Sequence, residues 1–254
     1  MRSNPEEIAA YYRQAIWGGQ YRTGDALPRA VDVAEEFDAD RKTVLDAYRQ
    51  LADEGLVEVK RRAGTVVTYA APMRWMGTER YSRSLRARGV PAFAADREAS
   101  GQPWQRSDQS TMVQRVRASP EVAEALSLPV GTEVIERSRL VRDAGGRPTQ
   151  SLTSWYRVSD VEGTAIETST ENTAGSGGGY SVLDGLGLGP TQVTEDLWPR
   201  MPLPAEAKLL ELPGSVPIVD FTRWARHHDH VVEFARGLYV GPRFRWSYTS
   251  PISD

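Results

Sequence analysis

The sequence contains no cysteine, which excludes disulfides, thiolate nucleophiles and cysteine-held metal ions at once. Its only three histidines crowd into one stretch, His227-His228-Asp229-His230. No apolar run approaches the roughly eighteen residues of a membrane-spanning helix, so no membrane partner is expected. The opening residues, Met1-Arg2-Ser3-Asn4-Pro5-Glu6-Glu7, lack the apolar stretch of a secretory signal, and a cytoplasmic location is the expectation. A surplus of one charge is missing too: 31 Lys/Arg stand against 34 Asp/Glu, a net −3. Residues 1–70 alone hold ten Lys/Arg and twelve Asp/Glu. Bulk charge therefore gives no hint of nucleic acid, and any such argument must rest on local placement. What is present is 40% hydrophobic and 26% charged residues over 254 positions, enough for one large domain or two ordinary ones.

Asn4-Pro5-Glu6-Glu7 reads as a helix start, with Asn as N-cap, Pro at the first helical position and Glu completing a capping box. Ile8, Tyr11, Tyr12, Ala15 and Ile16 follow at helical spacing until Gly18-Gly19. Leu27-Pro28 opens a second short helix with Val31, Ala34 and Phe37 on one face. Asp40 caps a third, in which Val44, Ala47, Tyr48 and Leu51 form the buried stripe and Gly55 the stop. The period then drops to two, and Leu56–Lys60 and Thr65–Tyr69 read as strands joined by Arg61-Arg62-Ala63-Gly64. Three helices and a β-hairpin are the order of a winged helix-turn-helix.

Positive charge falls where such a unit meets DNA. Arg41, Lys42 and Thr43 occupy the first turn of the third helix, and Arg49 lies further along its polar side. Lys60, Arg61 and Arg62 crowd the hairpin tip beside Gly64, and Arg29 lies next to Leu27-Pro28. Either cluster alone reads as solvated surface; their joint position on recognition helix and wing favours double-stranded operator DNA.

The segments Leu27-Pro28, Val33-Ala34-Glu35-Glu36-Phe37, Arg41-Lys42-Thr43-Val44, Ala47-Tyr48-Arg49-Gln50-Leu51, Glu54-Gly55-Leu56-Val57 and Gly64-Thr65-Val66-Val67 resemble the DNA-binding signature of GntR regulators. The resemblance carries DNA-binding roles over to Arg41, Thr43, Arg62 and Gly64, and Arg29, Lys42, Arg49 and Arg61 join them as candidate DNA-binding residues. Two positions depart from the family pattern: Val31 and Leu45 stand where arginines are usual.

Residues 70–80 show no periodicity and read as a linker between a DNA-binding domain at 1–69 and a second domain at 81–254. Within the second, a shift of 84 aligns the chain with itself, carrying Pro120 to Pro204, Leu126 to Leu210, Arg139 to Arg223, Arg142 to Arg226 and Trp155 to Tyr239. Each copy reads as helix, loop, strand, turn, strand, with turns at Asp143-Ala144-Gly145-Gly146 and at the histidine cluster. Further strands are expected over 111–118, 191–200 and 244–249. The whole is an antiparallel sheet with packed helices, an α+β domain with a cleft between its repeats.

Ile135, Arg137, Arg139 and Val141 alternate onto one strand face, as do Val231, Glu233, Ala235, Gly237 and Tyr239. Arginines interleaved with apolar residues need an anionic partner, either an acidic ligand or a protein carboxylate such as Glu233. This half resembles the UTRA domain, the chorismate-lyase-like effector domain of the HutC branch of GntR regulators. Its strongest pieces are Ser119-Pro120 through Gly131, Glu136-Arg137-Ser138-Arg139, Gly146-Arg147-Pro148, Arg200-Met201-Pro202 and Glu233 through Tyr239. The resemblance implies a homodimeric repressor whose effector, anionic or sugar-like, is held by Arg137, Arg139, Tyr180, Glu233 and Tyr239. Leu152 departs from the pattern, which often has an acid there. The glycine-rich stretch from Thr173 to Gly179 has no following Lys-Ser/Thr, so it reads as a loop over the cleft rather than a phosphate loop.

Two other readings compete. A lyase-like enzyme would share the second domain's fold, but no Ser/His/Asp set or paired-carboxylate motif emerges, and neither a cofactor nor a metal is expected. A regulator whose second domain only dimerises is the alternative that Leu152 keeps open.

Overall fold

A computed structural model describes residues 3–69, 72–169, 178–212 and 215–247. The chain divides into two units, Met1–Ala71 with Leu212–Val216, and Pro72–Glu211 with Pro217–Asp254.

In the first unit, α1 (Pro5–Trp17) begins with a reciprocal cap: the Asn4 side chain accepts the Glu7 amide at 2.9 Å, and the Glu7 carboxylate accepts the Asn4 amide at 3.1 Å. α2 (Ala30–Glu36) and α3 (Arg41–Asp53) follow, and the Asp40 carboxylate caps α3 by accepting the Thr43 amide at 2.8 Å. β1 (Val57–Lys60) and β2 (Gly64–Val67) pair antiparallel with Lys60 opposite Gly64. Ile8, Tyr12, Ile16, Val44, Ala47, Tyr48 and Leu51 close the core against Val57 and Val67 of the hairpin. The sequence expectation differs at α2. Leu27-Pro28 precede the helix, which starts at Ala30, so its inward residue is Val33, fully buried, while Val31 is 57% exposed. Tyr11 likewise turns outward.

The second unit contains β3 (Met73–Trp75), α4 (Arg83–Ala87), α5 (Ala92–Ala99), β4 (Gln109–Arg117), α6 (Pro120–Ala125), β5 (Glu133–Arg142) and β6 (Pro148–Arg157). It continues through α7 (Val158–Val161), α8 (Ala165–Thr168), α9 (Gly179–Gly185), β7 (Gln192–Arg200), α10 (Pro204–Leu209), β8 (Ile218–His227), β9 (His230–Val240) and β10 (Phe244–Trp246). Six strands form one antiparallel sheet in the order β4-β5-β6-β9-β8-β7. That order reads the same from either edge when each strand of the first copy is exchanged for its mate in the second.

The pairing register repeats as well. Val113 lies opposite Arg137 between β4 and β5, and Leu197 lies opposite Phe221 between β7 and β8, a shift of 84 on both strands. Beyond the hairpin the shift becomes 83, because Val141 faces Gln150 while its mate Ala225 faces Glu233. The shorter turn at the histidines removes one residue. Tyr239 is therefore the mate of Tyr156, not of Trp155 as the ungapped sequence shift suggests, and Gln150 is the mate of Glu233.

Two further expectations shift. Residues 73–81 are built into this unit: β3 pairs parallel with β10, a 3₁₀ turn spans Gly77–Tyr81, and Trp75 is fully buried. A short stretch without periodicity hid them, since a three-residue strand shows no alternation. The expected strand at 244–249 is Phe244–Trp246, paired with β3 rather than with the main sheet; residues 248 and 249 lie outside the described residues, as do 173–177 of the glycine-rich loop.

Candidate effector cavity and DNA-facing surface

In the second unit, strand alternation stacks polar groups in rows across one sheet face. One row runs Val113, Arg137, Ser154, Ala235, Arg223, Glu195 from β4 to β7; the neighbouring row holds Ile135, Tyr156, Glu233 and Ala225. A cavity opens over this face. Its walls include Arg80, Tyr81 and Arg86, the start of α5 with Pro91 and Phe93, Gly178 to Tyr180 at the start of α9, and Arg137, Arg139, Gln150, Leu152, Tyr156, Arg223 and Glu233 from the sheet.

Glu233 is the hub. One of its oxygens accepts the hydroxyls of Ser154 at 2.5 Å and Tyr156 at 2.7 Å; the other accepts Tyr180 at 2.9 Å and Arg223 through Nε at 3.1 Å and Nη2 at 2.8 Å. Burial alone would raise its pKa, but Arg223, Arg139 and the two hydroxyls on that first oxygen more than offset it and hold the group at about 2. Arg223 also donates to the Tyr81 hydroxyl at 2.8 Å, and that hydroxyl donates to Glu195 at 2.6 Å. Burial pushes the Tyr81, Tyr156 and Tyr180 phenols up, so they act as neutral donors.

Five arginines line the cavity, and three have a close carboxylate: Arg80 with Asp96 at 3.0 Å, Arg86 with Asp184 at 2.8 Å and Arg223 with Glu233 at 2.8 Å. Arg139 reaches Glu233 only at 3.9 Å, although its Nη2 donates to Ser154. Arg137, 2% exposed, has no carboxylate among the described residues and donates to the carbonyls of Ile166 at 3.1 Å and Ser169 at 2.6 Å. Burial and the adjacent Arg139 lower its pKa to about 10. Arg80, Arg86, Arg137 and Arg139 each keep at least one buried N–H without an acceptor among the described residues. Such a site has spare donors and spare positive charge, the two things a bound anion needs.

Of the five effector residues read from sequence, Arg137, Arg139, Tyr180 and Glu233 are brought together. Tyr239 is not: it packs on Trp75 at 4.8 Å and on Phe221 and Phe244, and its hydroxyl has no partner among the described residues. Sequence reasoning missed Arg80, Tyr81, Tyr156, Gln150 and Arg223. The internal repeat pointed to the last, because it carries Arg139 onto Arg223. Leu152 forms apolar wall. The histidines do other work: His230 bonds Asp160 at 2.7 Å and His227 the Gly189 carbonyl at 2.8 Å.

In the first unit, Arg41, Lys42 and Arg49 are exposed on α3, and Arg61 and Arg62 on the hairpin tip. Arg29 is tied to Asp32 at 2.9 Å and Arg49 to Asp46 at 2.6 Å, and the Thr43 hydroxyl donates to Asp40 at 3.1 Å. Arg41, Lys42, Arg61 and Arg62 have no ion-pair partner among the described residues. The tip is formed by two residues with positive φ, Arg62 at 75° and Gly64 at 77°.

Comparison with known proteins agrees with both halves. Residues 4–67 match the model of bacterial regulatory proteins of the gntR family, and residues 109–245 match that of the UTRA domain. An HTH-type transcriptional regulator of Streptomyces coelicolor is 42% identical over 98% of this chain and 93% of its own. The histidine utilization repressor of Klebsiella aerogenes is 25% identical, over 94% of this chain and 91% of its own. The transcriptional repressor PhnF of Mycolicibacterium smegmatis is 26% identical over 89% and 84%. The crystal structure of PhnF superposes with a TM-score of 0.58 at 22% identity, covering 97% of this chain and all of that one, which is a likeness of fold.

Proposed function

Since this chain belongs to the gntR family of bacterial regulatory proteins, in its HutC branch with a UTRA domain, we propose that it grips operator DNA as a homodimer and lets go when a small anion fills the cavity. It is a DNA-binding transcriptional regulator and not an enzyme. Cytoplasmic residence goes with that role. In this reading α3 enters the major groove through Arg41, Lys42 and Thr43, Arg61 and Arg62 hold backbone phosphates, and Arg29 and Arg49 turn from their aspartates to phosphates at the edges. Gly64 lets the wing turn tightly.

The observation that supports the effector half is the set of buried guanidinium N–H groups that have no acceptor among the described residues, where Arg137 also has no carboxylate partner. Tyr180 and the Glu233–Arg223 pair shape the floor, and Leu152 and Phe93 supply apolar contact for the ligand's carbon frame. The repressors among the relatives support repression as the mode.

The test begins with mass spectrometry of whatever small molecule co-purifies with the protein. That molecule is then titrated against duplexes selected from random sequence. The expected result is a loss of DNA affinity of roughly 5–150-fold on saturation, the usual range of coupling between sites. Arg139→Gln should abolish the response and leave ligand-free DNA binding intact. A variant that responds like the parent would move the effector out of this cavity.

A further inference from the structure

Along α3, Arg41, Leu45 and Arg49 follow at intervals of four and make one exposed ridge. Leu45 is 38% exposed at the middle of that ridge. The cationic ends differ: Arg41 has no ion-pair partner among the described residues, whereas Arg49 is held by Asp46 at 2.6 Å. A large apolar side chain is thus set between two cations on the stretch of a recognition helix that goes deepest into the groove. We infer that Leu45 reads a thymine, by seating its branched end against the 5-methyl group in the major groove.

The chemistry leaves few alternatives. Leucine has no donor or acceptor, so it gains nothing from the nitrogen and oxygen edges of guanine, adenine or cytosine and would strip them of water. The thymine methyl is the one apolar group that a base presents in the major groove. The flanking charges of Arg41, Lys42 and the wing bring the ridge against phosphate-lined DNA, which identifies the occupant of this apolar spot as a base rather than another protein. Helix geometry helps: one turn from Arg41, Leu45 meets a base next to the one that Arg41 contacts. The inference rests on α3 being the reading helix, as proposed above.

The experiment uses the full chain and duplexes with a random core of about 20 base pairs, long enough for two half-sites one helical turn apart. Selection is expected to return a fixed thymine at one position of each half-site. Replacing that thymine with uracil removes only the methyl group, and affinity should fall about fourfold per half-site, the weight of one buried methyl-sized group at about 0.8 kcal/mol. Leu45→Ala, an exposed change to the best helix former, should bind the thymine and uracil duplexes equally. Equal binding of both duplexes by the parent protein overturns the inference, and so does a Leu45→Ala variant that still prefers thymine. Arg41→Ala, run alongside, separates the two failures. If it weakens binding while the uracil change does nothing, only the reading by Leu45 falls. If it too leaves binding unchanged, α3 is not the reading helix and the wider proposal falls with it.

Discussion

Glu233 concentrates five hydrogen-bond donors on two carboxylate oxygens inside a sheet, and its acidity follows from that setting. The folded protein lowers its pKa from the ordinary 4.5 to about 2. A depressed carboxylate contributes stability that is present above the unfolded value and is lost as pH falls through the folded one. Stability of this unit is therefore expected to decline between about pH 4.5 and pH 2, by on the order of 3 kcal/mol from this group. Glu233→Gln should lower the melting temperature at pH 7 and narrow the gap to the parent as pH approaches 2; a gap that stays constant would deny Glu233 this role. The variant strands the Arg223 charge, so it is a stability probe and a poor test of ligand binding. Legibility at this scale followed strand alternation. Arg137, Arg139 and Glu233 were visible because a charge among apolar neighbours on one strand face stands out. Tyr81 and Arg80 were not, since they come from a 3₁₀ turn with no period of its own.

The elements of the first unit were easier to read from sequence than those of the second, because caps and a 3.6-residue period mark both ends of α1 and α3. The exception, α2, is only seven residues long, too short for periodicity to decide between Val31 and Val33. In the wing, one residue carries both a charge and a strained backbone: Arg62 sits at φ 75°. Left-handed geometry costs an L-residue roughly 1–2 kcal/mol, and glycine escapes that cost. Arg62→Gly is thus expected to leave the unit at least as stable while lowering affinity for all DNA sequences alike and reducing the salt slope by about 1. Thermal unfolding and binding at several salt concentrations check both halves. A destabilised variant, or an unchanged slope, would place the function of Arg62 in the turn rather than on the phosphates.

For the whole molecule, the two units must be coupled if a ligand in one is to alter the other's hold on DNA. The chain that enters the second unit forms β3 and the turn to Tyr81, and its Arg80 stacks on Trp75 at 3.8 Å while facing the cavity. That segment is therefore part of the second unit's fold, and under the proposed function a ligand drawing on Arg80 or Tyr81 would act on the stretch of chain nearest the winged helix in sequence. One winged helix contacts too few base pairs for useful selectivity, so a dimer on an inverted repeat is expected, with half-sites on one face of the duplex. Light scattering should give twice the 28.2 kDa chain mass, and a monomer binding a single half-site tightly would end that idea.

The mirrored strand order has a consequence for how selectivity is distributed between the halves. Mate residues Arg139 and Arg223 both line the cavity, but only one half supplies an acid: Glu233 in the second copy stands at the position that Gln150 holds in the first. The two side chains have nearly the same shape and differ by one charge. The two copies thus present a matched pair of positions that differ as amide and acid. One arginine is tied into the architecture by its carboxylate, and its twin keeps a buried N–H without an acceptor among the described residues, free for the anion proposed above. Position 150 is where a sister protein would change its appetite for charge without disturbing a single strand.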